Sequence, residues 1–77
     1  MSDSLLLTQD AYDRLLKELE NLILVERGAI AKKIQEAREE GDLKENGGYH
    51  AAKEEQGKLE ARIHRLEIIL ANAEIGT

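Results

Sequence analysis

The stretch Gly41-Asp42-Leu43-Lys44-Glu45-Asn46-Gly47-Gly48 lies near the midpoint of a 77-residue chain, between two long helical patterns of similar length. Gly41 predicts the C-terminal stop of the first helix, because glycine adopts the conformation that ends helices without steric cost. Asn46 predicts the N-cap of the second, because its short polar side chain accepts a first-turn amide. A connection this short folds the two arms back antiparallel. It also sets two carboxylates, Asp42 and Glu45, at the far end of a stalk.

Working outward, the first helix is expected over about 8–40, with Thr8 as its N-cap and Asp10 and Asp13 near its positive end. Leu5-Leu6-Leu7 is expected to pack back against that helix start. Steps of three and four trace an apolar seam through Tyr12, Leu16, Leu19, Ile23, Glu26, Ile30, Ile34 and Ala37. Glu26 on that seam and Gly28 inside the helix are flaws, and they mark Val25 to Ala29 as a kink or slip in register. The second helix, about 46–74, keeps the alternation through Tyr49, Ala52, Gln56, Leu59, Ile63, Leu66, Leu70 and Ala73. The fold class is therefore all-α: an antiparallel coiled-coil hairpin with a short acidic tip loop at 41–46. At roughly 1.5 Å per residue each arm extends on the order of 40 to 50 Å.

Two other readings of the loop fail on its flanks. Asn46-Gly47 is a β-hairpin turn signal, but neither flank alternates with the period of two that strands need. Asp42, Asn46 and Gly47 match positions one, five and six of a calcium-binding EF-hand loop. Lys44 and Lys53 then stand at positions three and twelve, where carboxylates are required.

Composition narrows the class further. Eleven basic and sixteen acidic residues give a net charge of −5, there is no Pro, Cys, Trp or Phe, and Tyr occurs twice. With few aromatics, the buried surface must come from Leu, Ile and Ala along a narrow seam. The absence of cysteine excludes disulfides, thiolate catalysis and Cys-based zinc sites. The longest apolar run in the helical region, Leu22 to Val25, is too short to span a bilayer, and Met1-Ser2-Asp3-Ser4 has no charged signal-peptide region, so no membrane role and a cytoplasmic location are expected. Tight binding of free nucleic acid is not expected, since phosphate neutralisation requires a cationic excess.

The chemistry-bearing residues are few. His50 and His64 are fourteen positions apart on one helix, about 21 Å, too far to share a metal. The Lys, Arg and Glu residues of both arms interleave as a solvated flank with i,i+4 pairs. Arg38, Lys44 and Lys53 group near the tip, where they can meet a nucleic-acid backbone. For Asp42 and Glu45, spacing leaves two readings. They are ordinary solvated loop acids, or they complete the shell of an ion that a partner already holds.

The run Glu36-Ala37-Arg38-Glu39-Glu40-Gly41-Asp42-Leu43-Lys44-Glu45-Asn46, continuing through Tyr49-His50-Ala51-Ala52-Lys53-Glu54-Glu55-Gln56, resembles the tip signature of the bacterial GreA/GreB transcript cleavage factors, on the GreA side. Leu7-Thr8, Tyr12, Leu15 and Leu19, with Ile63, Leu66, Leu70 and Asn72-Ala73, fit the same family's N-terminal domain. The resemblance implies a hairpin that enters the secondary channel of RNA polymerase. There Asp42 and Glu45 help hold a second Mg²⁺ jointly with the polymerase, which cleaves the 3′ end of backtracked RNA. The isolated domain binds no cofactor on this reading, and it is an accessory factor that activates the polymerase's own endonucleolytic activity. Arg38, Lys44 and Lys53 guide the extruded RNA or steady the tip.

Two departures from the family pattern stand out. Gly47-Gly48 replaces the small residue and Glu found in many members, as in actinobacterial sequences. The family's C-terminal FKBP-like domain is absent from the 77 residues. The chain is read either as a single N-terminal domain ending at the linker after Ile75, which is the expectation, or as a naturally short relative. The competing functional class is a passive coiled-coil interaction module whose tip has no catalytic-assisting role.

Overall fold

A computed structural model describes residues 5–42 and 44–76; the expectations that fall on Met1–Ser4, Leu43 and Thr77 lie outside the described residues. The chain forms a slender body of 54 × 25 × 12 Å. In order, it comprises strand β1 (Leu5–Leu7), helix α1 (Gln9–Asn21), a π-helical turn (Leu22–Glu26), helix α2 (Arg27–Arg38), helix α3 (Gly47–Asn72) and strand β2 (Ala73–Ile75). The first arm, α1 through α2, lies antiparallel to α3, as the hairpin reading expects.

The helix starts follow local chemistry. Thr8 is extended and its Oγ1 accepts the Ala11 backbone N–H at 3.1 Å. Asn46 is likewise extended and its Oδ1 accepts the Tyr49 N–H at 3.0 Å. Each side chain satisfies one of the donors that a helix start leaves unpaired. The stop of the first arm differs from expectation. α2 ends at Arg38 rather than near residue 40, and the chain turns through Glu39 and Glu40 before Gly41. Gly41 has φ +132, a conformation that side-chain-bearing residues rarely adopt, so it serves the loop rather than the helix end.

The seam of α3 is as read: Ala52, Ile63 and Leu66 are buried, and Tyr49, Gln56, Leu59, Leu70 and Ala73 are half-buried. Burial of Ile63 and Leu66, 1% and 0% exposed, stabilises the hairpin by about 1.5–3 kcal/mol each. In the first arm two seam positions are corrected. Glu26 is exposed, and Leu16 is exposed while Leu15 is half-buried. Ile23 is half-buried as expected, and so is Leu22 beside it. Arg27, itself exposed, meets Glu60 of the other arm where Glu26 was expected to face it. Traced through Tyr12, Leu15, Leu19, Leu22, Arg27, Ile30, Ile34 and Ala37, the face toward α3 has one step of five among steps of three and four. That step is the π turn, in which the Arg27 N–H donates to the Leu22 carbonyl. A π turn holds one residue more than an α turn, so it rotates Glu26 off the seam. The expected slip in register is real and begins three residues before Val25.

Two short strands depart from the all-helical expectation. Leu5–Leu7 does not merely pack against the helix start; it pairs in parallel with Ala73–Ile75, Leu5 opposite Ala73, Leu6 opposite Glu74 and Leu7 opposite Ile75. Parallel strands need a long crossover, and here the whole hairpin is that crossover. The Gly76 N–H extends the pairing to the Leu7 carbonyl at 2.8 Å. This short sheet closes the base of the stalk at the end opposite the tip.

The charged flanks also do more than expected. Lys32 and Glu36 (4.0 Å) and Glu54 and Lys58 (3.6 Å) are i,i+4 neighbours along one helix. Arg27–Glu60, Lys33–Glu55 and Arg62–Glu18 instead bridge the two arms.

Candidate functional site: the polar tip

The tip is built by two helix ends that one side chain joins. Asn46 caps α3 with its Oδ1, while its Nδ2 donates to the backbone carbonyl of Ala37 in the last turn of α2. The loop that leaves α2 after Arg38 and reaches Asn46 carries the acids. Within it Asp42 Oδ1 accepts the Lys44 backbone N–H at 3.0 Å, an Asx turn that orients the carboxylate.

Asp42 and Glu45 are both exposed and line one shallow, open depression of about 360 Å³ together with Glu40, Asn46 and Gly47. The structure thus sets the two expected acids on one depression and adds Glu40, expected only as a flank charge. The donor set consists of hard carboxylate oxygens on a solvent-facing loop, suited to Mg²⁺ rather than to a softer ion. Among the described residues no group of three or more His, Cys, Asp or Glu stands close enough to hold a metal ion. Two carboxylates supply only part of a six-oxygen shell.

The three basic residues occupy other ground. Arg38 places its guanidinium 5.9 Å from the centroid of the Tyr49 ring, within cation–π range. Lys44 sits in the tip turn, and its carbonyl oxygen lies 3.3 Å from His50 Nε2. Lys53 donates to Gln56 Oε1 at 2.9 Å, one turn along α3. None of the three lines the acidic depression. They surround the tip rather than form one cluster with the acids. Tyr49, expected on the seam and in the tip signature without a role of its own, lies under Arg38 and meets His50 edge-on at 5.6 Å. Its position three after the cap, on the first turn of α3 beside the end of α2, is the signal that could have identified it.

A long two-helix stalk with a closed base and an acid-bearing tip defines a class of projecting hairpin factors. The profile described as "Transcription elongation factor, N-terminal" matches residues 5–75, and the chain belongs to that family, the N-terminal domain of the GreA/GreB transcription elongation factors. Among its relatives, transcription elongation factor GreA of Saccharopolyspora erythraea is 64% identical over 70 residues, which cover 91% of this chain and 43% of that protein. GreA of Mycolicibacterium smegmatis is 60% identical over 70 residues, covering 91% and 42%. The solved structure of the transcription factor Gfh1 superimposes with a TM-score of 0.87 at 38% identity, over all of this chain and 49% of Gfh1. The chain spans less than half the length of these relatives.

Proposed function

We propose that this hairpin enters the secondary channel of RNA polymerase and stimulates the polymerase's intrinsic cleavage of backtracked RNA, rescuing arrested complexes. It acts as an accessory factor in the cytoplasm and performs no hydrolysis on its own. The observation that carries the reading is the placement of Asp42 and Glu45 in one open depression at the end of a 54 Å body. An incomplete set of hard oxygen ligands at the end of a probe suits an ion shared with a partner better than one held alone.

Asp42 and Glu45 would hold Mg²⁺ jointly with the polymerase, and the bound ion would supply Lewis-acid charge for phosphodiester hydrolysis. The Asx turn restrains the Asp42 carboxylate, which is exposed. Arg38, Lys44 and Lys53 flank the tip, where their cationic groups would guide the phosphates of the RNA 3′ end or steady the tip. Family membership and the likeness to GreA and Gfh1 support RNA polymerase as the partner.

The test is a transcript-cleavage assay on backtracked elongation complexes, comparing the chain with Asp42→Ala and Glu45→Ala. Loss of stimulation in both variants, with retention on immobilised polymerase unchanged, is the expected result. Equal activity in all three chains at every dose would reduce the hairpin to a passive interaction module.

A further inference from the structure

We propose that Asn46 is a positioning residue for the tip acids, a single amide that clasps the two arms and sets the loop bearing Asp42 and Glu45. The inference rests on the role proposed above for those acids. It starts from two hydrogen bonds of opposite polarity on one half-buried side chain: Nδ2 donates to the Ala37 carbonyl of α2, and Oδ1 accepts the Tyr49 N–H of α3. The backbone of the same residue continues the restraint, since the Asn46 carbonyl accepts the His50 N–H at 3.1 Å.

The chemistry selects asparagine. A carboxylate of the same shape would cap α3 equally well but would set an oxygen against the Ala37 carbonyl, where a donor is needed. A serine or threonine would also cap α3, but it is too short to span to the other arm. The first turn of α3 contains Gly47 and Gly48, which bring no side chain to brace the loop. The loop between the arms is therefore closed at its root by Asn46. Releasing that closure leaves both helices folded, yet frees the backbone that carries both acids, and groups that must meet a reacting centre lose rate steeply with small misplacements.

The experiment is the backtracked-complex cleavage assay with the chain, Asp42→Ala, Asn46→Asp and Asn46→Ser. It measures the rate at saturating chain, the chain concentration giving half that rate, and the Mg²⁺ concentration giving half that rate. Both Asn46 variants should lower the saturating rate about tenfold and raise the Mg²⁺ requirement, with the half-saturating chain concentration within about twofold of the parent and helical content unchanged by circular dichroism. A parental rate in both Asn46 variants, with Asp42→Ala inactive, overturns the positioning role and leaves the proposed function standing. A parental rate in Asp42→Ala removes the proposed function and this inference with it. A rate loss that tracks lost helicity, at an unchanged Mg²⁺ requirement, reduces Asn46 to a structural cap and also overturns the proposal.

Discussion

Arg62 in α3 grips Glu18 in α1 through two hydrogen bonds of 2.8 Å, joining positions 44 residues apart in a fork-to-carboxylate pairing. Arg27 repeats the arrangement with Glu60, at 2.8 and 2.7 Å, on the tip side of the π turn. The place where the first arm slips register is thus bracketed by two clamps to the second. A planar guanidinium suits this task because both of its bonds depend on correct alignment of the arms.

Since the Arg62–Glu18 side chains are about 40% exposed, the clamp contributes modestly. A double-mutant cycle with Arg62→Ala and Glu18→Ala should give a coupling of about 0.5–1 kcal/mol that shrinks at high salt. Urea melts of the four proteins check it. A coupling indistinguishable from zero at low salt would mean that the pair only decorates the packed seam.

The Arg27 hydrogen bonds hold the Glu60 carboxyl below its ordinary value of 4.5, opposed in part by desolvation. For a carboxylate whose folded-state value is depressed, the contribution to stability is complete above the unfolded value and is lost as pH falls through the lower folded one. Glu60→Gln should therefore flatten the decline of melting temperature on acidification below about pH 4.5, relative to the parent. Parallel melting profiles for the two proteins at pH 3 to 7 would contradict the linkage.

The π turn makes an unusual deletion tolerable. Removing Leu24, which is 77% exposed, shortens the step from Leu22 to Arg27 from five residues to four and leaves an unbroken heptad spacing. We expect the shortened chain to stay within about 1 kcal/mol of the parent or to exceed it. Deleting Glu54 from the regular α3 seam should instead displace either Ala52 or Ile63 and Leu66 from the core and cost far more. Thermal denaturation followed by circular dichroism distinguishes the two; comparable losses would refute the one-residue account of the turn.

Glycines give opposite outcomes by position. A Cβ at Gly57, in the interior of α3, meets nothing within 4 Å, so Gly57→Ala should stabilise the hairpin by about 0.5–1 kcal/mol. Gly41→Ala should destabilise it, because φ +132 is strained for any side chain although the space is open. Chemical denaturation checks both signs.

The tip was legible because its signals are local. Thr8 and Asn46 cap helices within three residues of themselves, and the matched arms on either side of one short loop leave a hairpin as the arrangement that buries both seams. The joining of Asp42, Glu45 and Glu40 around one depression depends on where the loop turns, which residue types alone do not state. Asn46 illustrates the boundary: its bond to Tyr49 spans three residues and was foreseen, whereas its bond to Ala37 spans nine and crosses between arms.

The sequence by itself determined two helical arms, their antiparallel return, the unbroken seam of α3 and the acids at the tip, because helical periodicity and capping act over a few residues. Tertiary structure decided the step of five from Leu22 to Arg27, the parallel pairing of Leu5–Leu7 with Ala73–Ile75, and the clamps of Arg27 and Arg62. Each of these is set by the fit of one arm against the other. A three-residue strand lacks enough side chains to show a period, and a π turn takes up one extra residue within a helix without leaving a periodic mark of its own.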